Sequence, residues 1–452
     1  MSAGDSKKIA VIGAGWAGCA AAVALTEARH QVTLFEAARV LGGRARRVDV
    51  NDVVLDNGQH IMLGAYQQSL QLMRTVGIAE HEALLRLPMQ MCYPDGTDGM
   101  TFEAARLPAP FHLAVALWRA KGLQRDDKLA LARFSSAARW MGWQLYDDCS
   151  VSTLLERFAQ TERLCQLMWR PLCIAALNTP PERASAQVFL AVLRDSLGAR
   201  RAASDMLIPR VDLSALMPDH AAKFIAQHGG KIELGCSVKK INPITTNLPN
   251  SNRWQVITSN VQEKFDAIII ATPAETAAHL LDGIENNSAD TSLLKQFTYE
   301  PITTCYLQYA STVQLSQAFF ALVDDQEKGH WGQFVFDRGQ LDATQAGLFA
   351  VVISASSAAI ADGHETLIAA AAKQLAQVFQ RPELAQPIWS KVISEKRATF
   401  ACAPSLVRPS NDSGISGIYL AGDYTIGDYP ATLESAVRSG NQAAKELIAT
   451  LV

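Results

Sequence analysis

Two short apolar runs, residues 8–12 and 31–36, bracket an Ala-rich stretch that extends to about Ala28. Short runs rich in β-branched side chains suit buried strands, and the longer stretch between them suits a helix, so the chain opens as a βαβ unit. Helical periodicity then dominates from roughly Tyr66 to Ser204, with proline-containing breaks at 107–111, 170–171 and 179–181, which predicts an inserted helical region. A helix is expected over 215–228, closed by Gly229-Gly230, followed by strands at 231–234, 254–258 and 265–271 that are expected to rejoin the first sheet. Alternating apolar positions at 304–309, 319–323, 331–337 and 348–354 predict an antiparallel sheet with one covered face. The chain ends with a strand at 417–421, a turn, and a helix from about Ala431.

The 452 residues exceed what a single hydrophobic core usually serves, so two domains, or one domain with a large insertion, are expected. The predicted class is α/β, α+β overall. A Rossmann-type nucleotide domain is assembled from 1–75, 205–285 and 390–452, and a second domain from 76–204 and 286–389. Hydrophobic residues are 49% and charged residues 19%, which supplies a core and argues against disorder. A net charge of −3 and the lack of a long Lys/Arg block speak against nucleic acid as a partner. The eight cysteines are scattered without CxxC or Cys/His spacing, so no metal site is expected and a reducing, cytoplasmic setting is. The uncharged run 9–26 imitates a secretion signal, but cleavage would destroy the turn inside it, and no transmembrane helix is expected.

That turn is Gly13-Ala14-Gly15-Trp16-Ala17-Gly18, between strand and helix, where missing side chains let backbone amides approach a pyrophosphate. Glu36 closes the second strand, placed to accept both hydroxyls of an unphosphorylated adenosine ribose. Leu41-Gly42-Gly43-Arg44-Ala45 adds a second glycine-rich turn with a guanidinium able to reach phosphate, a feature that NAD-dependent dehydrogenases lack. Gly422-Asp423 follows the last apolar strand and places a carboxylate where a ribityl hydroxyl or phosphate-bound water can meet it. The N-terminus of the final helix, at Thr432 and Leu433, is expected to border a flavin ring and favour its anionic reduced form.

With these segments the chain resembles the FAD-containing amine oxidase and phytoene desaturase superfamily at both ends. Within it, the stretches from Leu55 to Tyr66, Pro171 to Thr179 and Tyr424 to Ala436 resemble the bacterial squalene-associated desaturases, which are hydroxysqualene dehydroxylases. The resemblance implies non-covalent FAD and a long apolar isoprenoid substrate, with hydroxysqualene reduced to squalene for hopanoid synthesis. It also implies cofactor contacts from Gly58, Gln59, His60 and Val238 besides the motif residues. A carotenoid-type desaturase, an amine oxidase and a non-catalytic FAD-binding scaffold are the alternatives.

Loss of a hydroxyl needs a nearby acid, and Asp56, His60 and Glu434 are the candidates. Against these stand a turn or cap residue, a core histidine and a first-turn helix acid respectively. Met62, Leu63, Tyr66, Met168, Trp169, Leu172, Asn178 and Phe334 are candidate substrate-channel residues, with core packing as the alternative. Residues 107–119 combine aromatics with a basic end, as a peripheral membrane contact on the inner face would, although core packing competes. Cys402 is expected to be a plain buried thiol rather than a flavin attachment site. No second GxGxxG with strand and helix context exists, so the electron donor must be a separate, unidentified partner.

Overall fold

The computed structural model describes residues 6–244, 253–284 and 289–451. Its first layer is a five-stranded, all-parallel sheet of β1 (Lys8–Ile12), β2 (Gln31–Glu36), β3 (Lys231–Leu234), β4 (Ala267–Ile270) and β5 (Ile418–Leu420), in the spatial order β3-β2-β1-β4-β5. Parallel strands covered on both faces read as continuous apolar runs, and β4, Ala-Ile-Ile-Ile, is buried throughout. Five helices matter below: α1 (Trp16–Glu27), α2 (Gln67–Thr75), α3 (Phe111–Arg119), α4 (Arg125–Trp140) and α5 (Leu433–Thr450).

The helices α1 and α5 pack tightly because Gly440 has no side chain: a Cβ there would lie 2.1 Å from Ala17 O. This contact brings the C-terminal helix directly behind the N-terminal turn.

The second large sheet is antiparallel, in the spatial order Phe319–Ala321, Phe334–Asp337, Leu348–Ser354, Tyr299–Gln308, Trp389–Phe400. Its central strand Leu348–Ser354 is buried along its whole length.

Three expectations need correction. The segment Trp254–Thr258 does not rejoin the parallel sheet. It forms a separate antiparallel sheet with Val238–Pro243 and Gln262–Phe265, since its alternating buried and half-buried positions suit a ribbon with one covered face. The middle region is not wholly helical, for it contains strands Leu84–Leu87, Gln90–Cys92 and Thr101–Glu103. The helix expected over 215–228 is two, Leu213–Leu216 and Pro218–Gln227, parted at Met217, because Pro218 lacks an amide hydrogen and can only open a helix.

Candidate active site

The site grows from two glycine-rich turns lying side by side. Gly13 has φ 103°, and a Cβ would meet Ala271 O at 2.6 Å; at Gly18 a Cβ would fall 1.8 Å from Gly13 O. Only glycine lets the turn close between β1, β4 and α1. Gly15 and Gly42 form a parallel bridge, and Gly42 N donates to Ala14 O at 2.9 Å.

α1 starts beside this pair with Gly15 as N-cap, no side-chain cap and no acid in its first turn, yet Trp16, Ala17 and Gly18 are buried. A helix start withdrawn from water without a cap leaves backbone donors and partial positive charge that an anion satisfies. Trp16 Nε1 is likewise buried without a partner among the described residues. Glu36 accepts from Ala14 N at 2.7 Å through one carboxylate oxygen and from Ala38 N at 2.8 Å through the other. Each oxygen keeps a lone pair for a ribose hydroxyl. Cys236 N donates to Glu36 O at 2.8 Å, which sets the start of the strand Val238–Pro243 beside this acid. These residues fit a dinucleotide diphosphate.

The motifs from the two chain ends meet. Arg44 Nη2 lies 2.7 Å from Asp423 Oδ2, and Arg44 Nη1 donates to Ala398 O at 2.8 Å. Expected as separate ligands of phosphate and ribityl groups, they form one charge pair. Arg44 keeps 37% of its side chain accessible although protein surrounds it, so the accessible part lines an interior cleft.

His60 lies on the same cleft, half-buried, with Nδ1 2.8 Å from Gly58 O. Burial and then the Arg44 charge lower its pKa, while the carbonyl opposes them. A neutral ring facing a carbonyl through Nδ1 carries its proton there, which leaves Nε2 as an acceptor. In that tautomer His60 is set to accept a hydrogen bond through Nε2. Gln59 Oε1 accepts from Arg338 Nη1 at 2.9 Å, and the nearest atom to a Cβ on Gly58 is Thr304 Oγ1, a buried hydroxyl without a partner among the described residues.

Asp56 sits behind this loop. Its Oδ1 accepts from Leu213 N at 2.8 Å, and its backbone carbonyl accepts from Tyr306 OH at 3.0 Å. Burial pushes its pKa up to about 6 against the opposing charge of Arg338. Through Oδ1 it fastens the loop to the segment at Leu213.

Glu434 is fully buried and used up elsewhere. Its carboxylate accepts from Ser69 N at 2.9 Å, Ser69 Oγ at 2.7 Å, Gln68 N at 3.2 Å and Arg438 Nε at 2.8 Å. It caps α2 from α5, so an acid role is corrected here. Thr432 caps α5 itself, accepting from Ser435 N at 3.1 Å, and Leu433 is the first helical residue.

The expected channel residues divide. Trp169 is core: it donates to Gln160 Oε1 at 2.9 Å and packs edge-on against Phe134 and Phe189. Asn178, at φ 47°, spends its amide on Glu300 O, Thr399 Oγ1 and Ala355 N, so it is a latch between segments. Met62 is buried in a strand pair with Leu207. Met168 and Phe334 are core, whereas Leu63 and Leu172 are only partly covered. Tyr66 is buried edge-on against Tyr429 at 6.4 Å.

Cys402 is buried, and burial pushes its thiol up to about 12, which suits a non-covalent cofactor. Thr304 and Arg338 were not singled out by sequence, and Tyr424 was read only as part of the stretch that begins with it. Tyr424 Oη is buried without a partner among the described residues, close enough to Arg44 and Asp423 to sense both charges. Tyr424 follows Gly422-Asp423 directly, which was the available signal. Arg338 ends an apolar alternating run, where a charged residue ordinarily reads as an exposed turn.

Known proteins agree with this geometry. The profile described as flavin containing amine oxidoreductase matches residues 16–448. A hydroxysqualene dehydroxylase of Rhodopseudomonas palustris is 29% identical, covering 98% of this chain and 99% of its own. A zeta-carotene desaturase of Synechocystis is 25% identical over 98% of this chain and 97% of its own. Among solved structures, an oxidoreductase from Methanosarcina mazei superposes with a TM-score of 0.72 at 17% identity, covering 97% of this chain and 100% of that one. The uncapped glycine turn, Glu36 and the joined Arg44–Asp423 ends thus find their explanation: the chain belongs to the flavin-containing amine oxidoreductase family and is an FAD-dependent oxidoreductase.

Proposed function

We propose that the enzyme reduces hydroxysqualene to squalene, breaking the allylic C–O bond, forming a C–H bond and releasing the hydroxyl as water. The observation that carries this reading is the end-to-end alignment with the Rhodopseudomonas palustris relative of that name. Reduced FAD supplies the hydride, and its own reduction falls to an external donor.

The residues contribute as follows. The turn Gly13 to Gly18 and Glu36 would hold the adenosine diphosphate half of the cofactor, and the Arg44–Asp423 pair its middle. His60 Nε2 accepts a hydrogen bond at the cleft wall. Hydroxide leaves poorly without a proton donor. Tyr424 Oη, buried without a partner among the described residues, can donate a hydrogen bond to the leaving oxygen; burial, then the neighbouring Asp423 charge, raises its pKa, so it polarises the C–O bond as a neutral hydroxyl while the proton itself comes from water. Thr304 Oγ1 is a second buried hydroxyl without a partner among the described residues and can hold the leaving oxygen in place.

The Synechocystis relative favours a second reading, oxidative desaturation of a polyene. One experiment tests both. Enzyme reduced anaerobically is mixed with hydroxysqualene while flavin absorbance and squalene are followed. Reoxidation with one squalene per flavin is expected; flavin that stays reduced refutes the proposal, and reduction of oxidised enzyme by polyenes would establish the second reading.

A further inference from the structure

The helical insertion carries an unpartnered apolar face. α3 has the sequence Phe-His-Leu-Ala-Val-Ala-Leu-Trp-Arg, yet its buried residues are only His112 and Ala116. The aromatics point outward instead: Phe111 is 63% exposed and Trp118 76%. Positions 111, 114, 115 and 118 share that outward face by the helical repeat, and all are apolar. Leu107, just before the helix, is 40% exposed.

α4 continues the surface, tied to α3 by Lys128 Nζ donating to Trp118 O at 2.9 Å. Its solvent face repeats every three or four residues and combines Arg125, Arg133 and Arg139 with Leu129 and the 91% exposed Trp140. Between residues 106 and 140 there are seven Lys/Arg against two Asp, in a protein whose net charge is −3. One of those two, Asp127, is buried and accepts from Gln124 N and Thr161 Oγ1, so Asp126 is the sole exposed acid of that stretch.

We infer that the α3–α4 face docks on an anionic lipid bilayer, with Phe111, Trp118 and Trp140 entering the headgroup boundary and the arginines facing lipid phosphates. Outward aromatics contribute nothing to this chain's own core, and apolar side chains beside unopposed cations are the chemistry of an interfacial helix. No described helix is long and apolar enough to cross a membrane, so the contact lies on the surface. The inference goes beyond the proposed reaction, and its test contains no substrate, so the two fail separately.

Flavin-loaded full-length protein is floated with vesicles of phosphatidylcholine alone or mixed equally with phosphatidylglycerol. Binding to the anionic vesicles is expected, weakening as salt rises. F111S/W118S is expected to lose at least tenfold in vesicle affinity and R133Q/R139Q about fivefold per arginine, with flavin content and turnover of detergent-dispersed substrate unchanged. Absence of binding, or binding that neither variant weakens, overturns the inference. Self-association abolished by F111S/W118S without vesicle binding would assign the face to a second copy of this chain and likewise overturn it.

Discussion

Glu434→Ala is expected to break the fold of the nucleotide domain while sparing the chemistry. The carboxylate has no accessible surface and accepts from three groups at the start of α2 and from Arg438 on its own helix. Gln68 and Arg438 regain water once it is removed, but Ser69 is buried completely and its amide is left without an acceptor. Stranding the buried Ser69 amide and hydroxyl costs about 1–3 kcal/mol for each. That is a large part of the roughly 5–15 kcal/mol that holds an ordinary domain. Urea unfolding followed by flavin release should show a midpoint lower by roughly 1 M, given the steep denaturant dependence of a chain this size. Turnover of the folded fraction at low temperature should stay within about threefold of wild type, far from the roughly 100-fold or greater loss of a true proton donor. An unchanged urea midpoint with turnover collapsed more than 100-fold would refute the reasoning and return Glu434 to catalysis.

Gly18→Ala should abolish flavin retention on gel filtration, because its Cβ would occupy the place of Gly13 O; a yellow, stoichiometric holoprotein would contradict this. Tyr424→Phe should keep its flavin but lose about 100-fold in the rate of squalene formation, as removal of one hydrogen-bond donor to a developing oxyanion does, measured in a single turnover from reduced enzyme. A rate within twofold of wild type removes Tyr424 as donor. Asp56 is protonated more readily folded than unfolded, its pKa moving from 3.8 to about 6. Wild-type stability should therefore fall as pH rises from about 4 to about 6, by an amount on the order of 3 kcal/mol. Asp56→Asn should gain that much relative to wild type between pH 4 and pH 7, and parallel stability curves for the two proteins would disprove it.

Strands β1 and β2 stand at the boundaries the apolar runs predict, because a strand covered on both faces writes its burial into consecutive residues, whereas the half-exposed edge strand β3 is marked by Gly229-Gly230 ahead of it. The glycine turn and Glu36 are equally local: strand, turn, helix and acid fall within one short stretch, and backbone geometry allows few other uses for them. The 12-residue strand Trp389–Phe400 went unrecognised, since its exposed Lys391, Lys396 and Arg397 erase the alternation that marked its neighbours.

By itself, then, the sequence determined the nucleotide-binding unit, the FAD-type motifs and the family they imply, because those signals depend on neighbours along the chain. The tertiary structure decided which charged groups are free. Arg44 and Asp423, read as two separate ligands, are joined to each other as an ion pair. Glu434 looked like an acid and is a fastener, filled by donors from a distant helix, and Asp56 holds a distant segment through one oxygen. Trp169 and Asn178 looked like channel and are core and latch. A carboxylate's role is set by the donors packed around it, and for these residues they lie 157 to 379 positions away along the chain in the case of Asp56 with Leu213 and Arg44 with Asp423. Pairings at that distance leave no periodicity to read, and only the folded arrangement of the two chain ends supplies them.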